Sequence, residues 1–178
     1  TAALELADQG FQVSLVERQG QLGGNMRHLR FLLSNANPQE LLVKLIGRTS
    51  HHPNIHTFLN AEIAAFEGSV GKFKTTVRSA EFEVPEVRNG ADPNFALHTL
   101  GTSHFTLHHG IVIVATGAQP YRPTEYLYGQ DERVITQLEL EERLANPQSE
   151  IRNLKSIVMI QCVGSRTAER PYCSRLCC

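Results

Sequence analysis

This sequence predicts a mixed α/β fold, and three observations carry that prediction. Over residues 1–17 the chain runs from a helical pattern through a glycine into a short β-branched strand that ends on an acid. Two unbroken apolar runs, IVIVA at 111–115 and IVMI at 157–160, have the length and branching of strands buried on both faces. All four cysteines fall between Cys162 and Cys178, and the first 161 residues have none.

Composition bounds the rest. With 178 residues, 41% of them hydrophobic, the chain can bury one sizeable core, or one domain and the start of another. Its 17 basic and 18 acidic side chains give a formal charge of −1, which argues against a nucleic-acid groove or an acidic-membrane patch as its main role. No stretch reaches the length of an apolar membrane-spanning helix. Thr1 begins in mid-pattern without an initiator methionine or signal peptide, and Cys178 closes on a cysteine pair. The chain is therefore expected to be an internal segment of a longer polypeptide.

In residues 1–9 the apolar Ala3, Leu4 and Ala7 recur at helical spacing, and Gly10 supplies a stop because the left-handed conformation costs glycine little. Residues 11–16 (FQVSLV) read as a strand ending at Glu17. Helix, glycine, strand and acid form the second half of a βαβ dinucleotide-binding unit, whose phosphate loop lies about 20 residues before the acid and hence ahead of Thr1. The loop 19–25 (QGQLGGN) then packs three glycines into seven residues, where the backbone can approach a ligand closely. Asn37 as N-cap, Pro38 at the first helical position and Glu40 start a helix whose stripe of Leu41, Leu42, Leu45 and Ile46 belongs to the core. Short strands follow at 55–59, 61–66 and 72–78, the last after the Gly68/Gly71 turn; 81–103 reads as a loop or hairpin excursion, and 105–107 resumes as a strand. His108-His109-Gly110 is expected to turn into the buried strand 111–115, which Thr116-Gly117-Ala118 ends. Thr136 with Glu139 predicts a capped helix through Leu144, 146–153 a linker, and 156–160 a second buried strand. The eight histidines read as solvated loop residues, and Glu139–Glu142 as a solvated helix face.

The cysteines are spaced Cys162-x10-Cys173-x3-Cys177-Cys178. Clustered thiols in a chain with an adequate core favour ligation over a disulfide scaffold. Four thiolates are the usual complement of a [4Fe–4S] cluster. Structural zinc also takes four but favours paired knuckles that adjacent cysteines fit poorly; a disulfide pair is the remaining alternative. Arg166, Arg170 and Arg175 stand among these cysteines against one acid, Glu169, so guanidinium groups would stabilise an anionic cluster and raise its potential.

The ordered set of Glu17, the Gly23-Gly24 loop, the strand excursion and IVIVATGA at 111–118 resembles the two-dinucleotide-binding-domain flavoproteins, of thioredoxin-reductase-like type. That resemblance implies an FAD-binding Rossmann-like domain with a small β excursion. It also implies that Glu17, with Arg18 beside it, binds the adenosine ribose, that Gly23, Gly24, Thr116 and Gly117 lie near the pyrophosphate and ribose, and that Ile63 offers its backbone to the adenine. With CVGSR…PYCSRLCC and TAALELADQGFQVSLVER, the whole chain is similar to the heterodisulfide reductase A-subunit family, which includes flavoprotein subunits of the quinone-interacting complex of sulfate reducers. This resemblance implies an oxidoreductase in which FAD passes electrons to a [4Fe–4S] cluster held by Cys162, Cys173, Cys177 and Cys178. It further implies other subunits of a cytoplasmic heterodisulfide-reductase-type complex as partners, with a ferredoxin, hydrogenase or dehydrogenase as electron donor. On that basis 1–120 is expected to be the FAD domain without its glycine loop, 121–155 a connector, and 156–178 the start of a second nucleotide-binding-like domain. There Gln161-Cys162-Val163-Gly164 stands where ordinary reductases carry a second glycine motif, which disfavours an NAD(P)H-dependent disulfide reductase. Several members of the family carry a cysteine-rich ferredoxin-like insertion in the excursion; residues 81–103 hold no cysteine. A zinc-stapled, non-redox module is the competing reading from a different class.

Overall fold

The computed structural model describes residues 1–34, 36–79, 98–99, 104–173 and 175. It is a mixed α/β structure that divides into two compact units, residues 1–24 with 40–116 and residues 25–39 with 117–178.

The first unit opens as its sequence dictates. Helix α1 (Ala2–Asp8) buries Leu4 and Ala7, and Gly10 at φ 93° reverses the chain while its N–H donates to the Ala7 carbonyl at 2.9 Å. Strand β1 (Val13–Val16) pairs in parallel with β2 (Ile55–Phe58), in the register Val13↔Ile55 through Val16↔Phe58. Parallel neighbours need a long crossover, and helix α2 (Pro38–His51) supplies it. The helix starts where the cap residues predict, with Asn37 Oδ1 accepting the Gln39 N–H at 2.9 Å. Leu4, Ala7 and Ile55 form one core with Ala3, Val13, Leu15 and Leu45 around it. Outside that core, Asp8 accepts from Arg48 at 2.7 Å and His52 Nε2 lies 3.2 Å from its other oxygen, tying α1 to the end of α2.

The excursion is a four-stranded antiparallel sheet, larger than the three strands expected. Its spatial order is β3 (Ala61–Ser69), β4 (Lys72–Ser79), β6 (His104–His109), β5 (His98–Thr99). Most of the loop expected over 81–103 lies outside the described residues, and His98–Thr99 within it is a strand. His108 and His109, expected in a turn, are the last residues of β6. At the β3–β4 hairpin, Gly68 has φ 103°, and a Cβ there would fall 2.2 Å from the Lys72 carbonyl oxygen, so only glycine fits. Val77, Phe105 and Leu107 alternate onto one face and close with Phe58 and Ala61 into a second core, with Phe58 and Phe105 rings 4.7 Å apart.

Residues 111–115 depart from expectation. They form no strand, and Ile111, Ile113 and Val114 are 74%, 53% and 80% exposed. A strand buried on both faces needs a partner at each edge, and among the described residues β1 and β2 pair only with each other. The run at 156–160 likewise forms no strand, and Ile157, Val158, Met159 and Ile160 are exposed.

In the second unit several polar contacts join segments distant in sequence. Helix α3 (Gln137–Ala145) carries the expected capping box, with Thr136 Oγ1 accepting from Glu139 N–H and the Glu139 carboxylate accepting from Thr136 N–H. Its acids are not a merely solvated face. Glu139 also accepts from the Tyr128 hydroxyl at 2.9 Å, Glu141 accepts from the Arg30 N–H at 2.5 Å, and Glu142 lies 3.3 Å from His28 Nδ1. The expected linker at 146–153 includes a 3-10 turn, Glu150–Asn153.

Candidate functional site

Glu17 and Arg18 lie at the carboxyl end of β1, the end where open α/β sheets receive ligands. Glu17 follows β1 directly, and its backbone is pinned on both sides: its N–H donates to the Phe58 carbonyl at 2.8 Å, and its carbonyl accepts from Ala61 N–H at 3.0 Å. Its half-buried carboxylate takes the Gln19 N–H at 2.8 Å, closing a tight turn and fixing where it faces solvent. Arg18 is exposed beside it. Because Glu17 is bonded to the first residue of β3, Ile63 stands two residues further along a strand that begins at the acid. There the ladder slips, with Ile63 opposite Val77 but Ala65 opposite Thr76, so Ala64 is an extra residue between the pairs. Such a bulge leaves a peptide outside the regular ladder, which is the local condition for a backbone contact to a base. Gly23 and Gly24 carry φ of 119° and 47°, conformations that L side chains rarely adopt, and a Cβ at Gly24 would meet nothing within 4 Å. Thr116 is exposed at the end of the unpaired run. Gly117, with φ 67°, begins the main segment of the second unit, and there Asn25 Nδ2 donates to the Ala118 carbonyl at 2.8 Å. A partly solvated carboxylate at a parallel strand end, followed by open glycine backbone, fits an adenosine ribose and its phosphates.

The sulfur candidates lie in the second unit. Cys162 is half-buried and Cys173 exposed, and both are free thiols. Cys177 and Cys178 lie outside the described residues. Among the described residues, no three of His, Cys, Asp or Glu converge as a metal-binding group. Cys173 Sγ accepts the Arg175 N–H at 3.3 Å. It lines a cavity of about 570 Å³ together with Arg166, Pro171, Tyr172 and Arg175. Cys173 thus stands beside two arginines and a main-chain donor, surroundings that an anionic group would need. Arg170 differs from the other two arginines, since its N–H and carbonyl close a turn with Thr167.

One residue of this region gives no signal in the sequence. Tyr121 lies in the proline-rich connector, and its ring packs on Gly164 of the CVGS turn, where a Cβ would fall 2.5 Å from Tyr121 Cδ1. Its hydroxyl donates to both oxygens of Glu125 at 3.3 Å. Partial loss of hydration, together with the Glu125 carboxylate, raises the Tyr121 hydroxyl above its usual range, while the Thr124 N–H holds Glu125 below the ordinary carboxylate range. The histidines expected in loops are partly structural: His109 bridges the Thr75 hydroxyl at 2.7 Å and the Ile111 carbonyl at 3.1 Å.

Comparison with known proteins bears on this geometry. Ninety-nine per cent of the chain aligns with the iron–sulfur A subunit of CoB–CoM heterodisulfide reductase from Methanocaldococcus jannaschii, at 29% identity over 249 residues. The second of two such A subunits in Methanopyrus kandleri aligns over the same share at 30% identity. The chain is a homologue of the heterodisulfide reductase A subunits. The A subunit of the ferredoxin/F420H2-dependent enzyme of Methanosarcina acetivorans is a further relative, at 28% identity. The chain spans about 38% of the length of the first two relatives and about 31% of the third. The matched stretch of 249 residues in the first exceeds the 178 of this chain, so that relative carries internal residues with no counterpart here. No family model matches. Among solved structures, the L-proline dehydrogenase of P. horikoshii is similar over 44% of this chain and 16% of its own, with 26% identity and a TM-score of 0.38, too slight a likeness to argue from. Among the described residues, no helix is long and apolar enough to cross a membrane.

Proposed function

We propose that this chain is the FAD- and [4Fe–4S]-carrying part of an electron-transfer subunit in a heterodisulfide-reductase-type oxidoreductase complex. The observation that carries the reading is the alignment of nearly the whole chain with proteins named as iron–sulfur A subunits, in a sequence whose cysteines all fall in one short terminal block. In this reading the FAD domain is Rossmann-like, and its partners are further subunits of the complex with a ferredoxin or hydrogenase as donor, in the cytoplasm.

Each candidate residue then has a stated task. The Glu17 carboxylate accepts hydrogen bonds from the adenosine ribose hydroxyls, with Arg18 beside it. The bulged backbone at Ile63 contacts the adenine edge. Gly23, Gly24, Thr116 and Gly117 let main-chain N–H groups approach the ribose and pyrophosphate. Cys162 and Cys173, with Cys177 and Cys178, supply four thiolates, and Arg166 and Arg175 offset their negative charge. When bound, the flavin exchanges electron pairs and the cluster single electrons.

Full-length protein purified without oxygen is expected to release FAD on denaturation and to contain iron and acid-labile sulfide. Glu17→Gln should weaken FAD retention by about tenfold to a hundredfold, the worth of charge-assisted hydrogen bonds at about 1.5–3 kcal/mol. A protein that held one zinc and no flavin would replace this reading with the non-redox module.

A further inference from the structure

The turn that carries Cys162 has an unusual backbone. Cys162, Gly164 and Arg166 have φ of 62°, 74° and 56°, whereas Val163 and Ser165 between them are not in the positive-φ region. A turn with left-handed residues at alternate positions can curl N–H groups toward one concave side, as in the nests found at phosphate and iron–sulfur sites, which face negative charge. Holding a cysteine and an arginine left-handed costs each about 1 kcal/mol or more, so something must hold the turn. Ser165 N–H donates to the Cys162 carbonyl at 3.0 Å and closes the turn from inside. The Tyr121 ring lies where a Cβ of residue 164 would be, which leaves no room for any other residue there. The ring is fixed at its far end by the bonds from its hydroxyl to Glu125.

We propose that residues 162–166 form a preformed seat for an anionic metal–sulfur group bound through Cys162, and that Tyr121 is the positioning residue that holds this seat. The inference rests on the cluster reading above. The ring acts through Gly164: its face fixes the left-handed turn, and the turn fixes the Cys162 sulfur and aims neighbouring N–H groups. N–H groups aimed at a thiolate-held cluster stabilise its more negative, reduced form. Removing the ring frees the turn and should therefore lower the reduction potential while loosening the cluster.

The test uses full-length protein, purified without oxygen, as wild type and as Tyr121→Phe, Tyr121→Ala and Gly164→Ala. Three quantities are measured: iron and sulfide per chain, the rate of iron loss to bathophenanthroline, and the midpoint potential from titration monitored by electron paramagnetic resonance. Flavin content and circular dichroism report on folding. Tyr121→Phe keeps the ring on Gly164 but loses its bonds to Glu125, and should stay nearer wild type than Tyr121→Ala in all three. Tyr121→Ala should lose iron several times faster and show a more negative midpoint, with flavin content unchanged; Gly164→Ala should follow it. Wild-type rates and potential in Tyr121→Ala would overturn the inference alone, as would equal defects in Tyr121→Phe and Tyr121→Ala. A wild-type protein without iron and sulfide would instead overturn the cluster reading and the inference with it.

Discussion

Replacement of Phe105 by alanine links the excursion sheet to the candidate adenosine site. Phe105 is 1% exposed, so its whole ring is removed from a filled space between Phe58, Ala61, Val77 and Leu107. A buried aromatic covers about 150–250 Å², which at about 25 cal/mol per Å² is about 4–6 kcal/mol. Measured Phe→Ala costs of about 3–5 kcal/mol, which include the cavity left behind, overlap this range. Phe105→Leu keeps most of the volume and should cost about 1.5 kcal/mol. The loss reaches the site because Phe58 packs its tilted ring against Phe105 and gives its carbonyl to the Glu17 N–H. Native-state hydrogen exchange is the suitable assay, since a two-unit chain does not guarantee two-state unfolding. At about 3–5 kcal/mol the amides of Val77 and Leu107 should exchange about a hundredfold to several thousandfold faster in Phe105→Ala, and those of Glu17 and Ala61 should lose protection with them. Changes of less than about threefold at Val77 and Leu107 would refute the assignment of this ring as the centre of the second core.

Three further perturbations follow from the geometry. Gly68→Ala forces a Cβ onto the Lys72 carbonyl at a positive φ and should cost about 1–3 kcal/mol, read as faster exchange of the hairpin amides. Thr136→Ala removes half of the capping box and should destabilise α3 by about 1 kcal/mol, again by exchange of its amides. The Thr136 N–H holds the Glu139 carboxyl below its usual range, so its contribution to α3 is complete above the unfolded carboxylate range and fades as pH falls through the lowered folded value; exchange followed into the acid range should show this in wild type. Arg133 bonds Asp131 and lowers its carboxyl to about 2, so its carbon-13 titration should centre there, and Arg133→Gln should return it toward the ordinary value of 3.8.

The legible parts are those settled within a few residues. Gly10 stops α1 and Asn37 caps α2 through local bonds, and Thr136 with Glu139 announces α3, because caps and left-handed glycines act over one turn. Glu17 is legible as the acid at a strand end. The runs at 111–115 and 156–160 mislead because apolarity shows a wish for burial and not the partner strands that provide it. His98–Thr99 cannot be foreseen, because a two-residue strand exists only through its pairing with β6. Tyr121 is equally hidden: its role depends on meeting Gly164, forty-three positions away, and no local pattern records that contact. Glu141 and Glu142 look like solvent-facing charge because their partners, Arg30 and His28, are more than a hundred positions earlier.

Electron flow between the two proposed cofactors is the central claim, and one measurement addresses it directly. Full-length protein is reduced stepwise without oxygen while flavin absorbance and the low-temperature paramagnetic spectrum are recorded together. Bleaching of the flavin accompanied by the signal of a reduced [4Fe–4S] cluster, with that signal lost in Cys173→Ser, is the predicted result. A flavin that bleaches with no iron-dependent signal in the wild-type protein would contradict it.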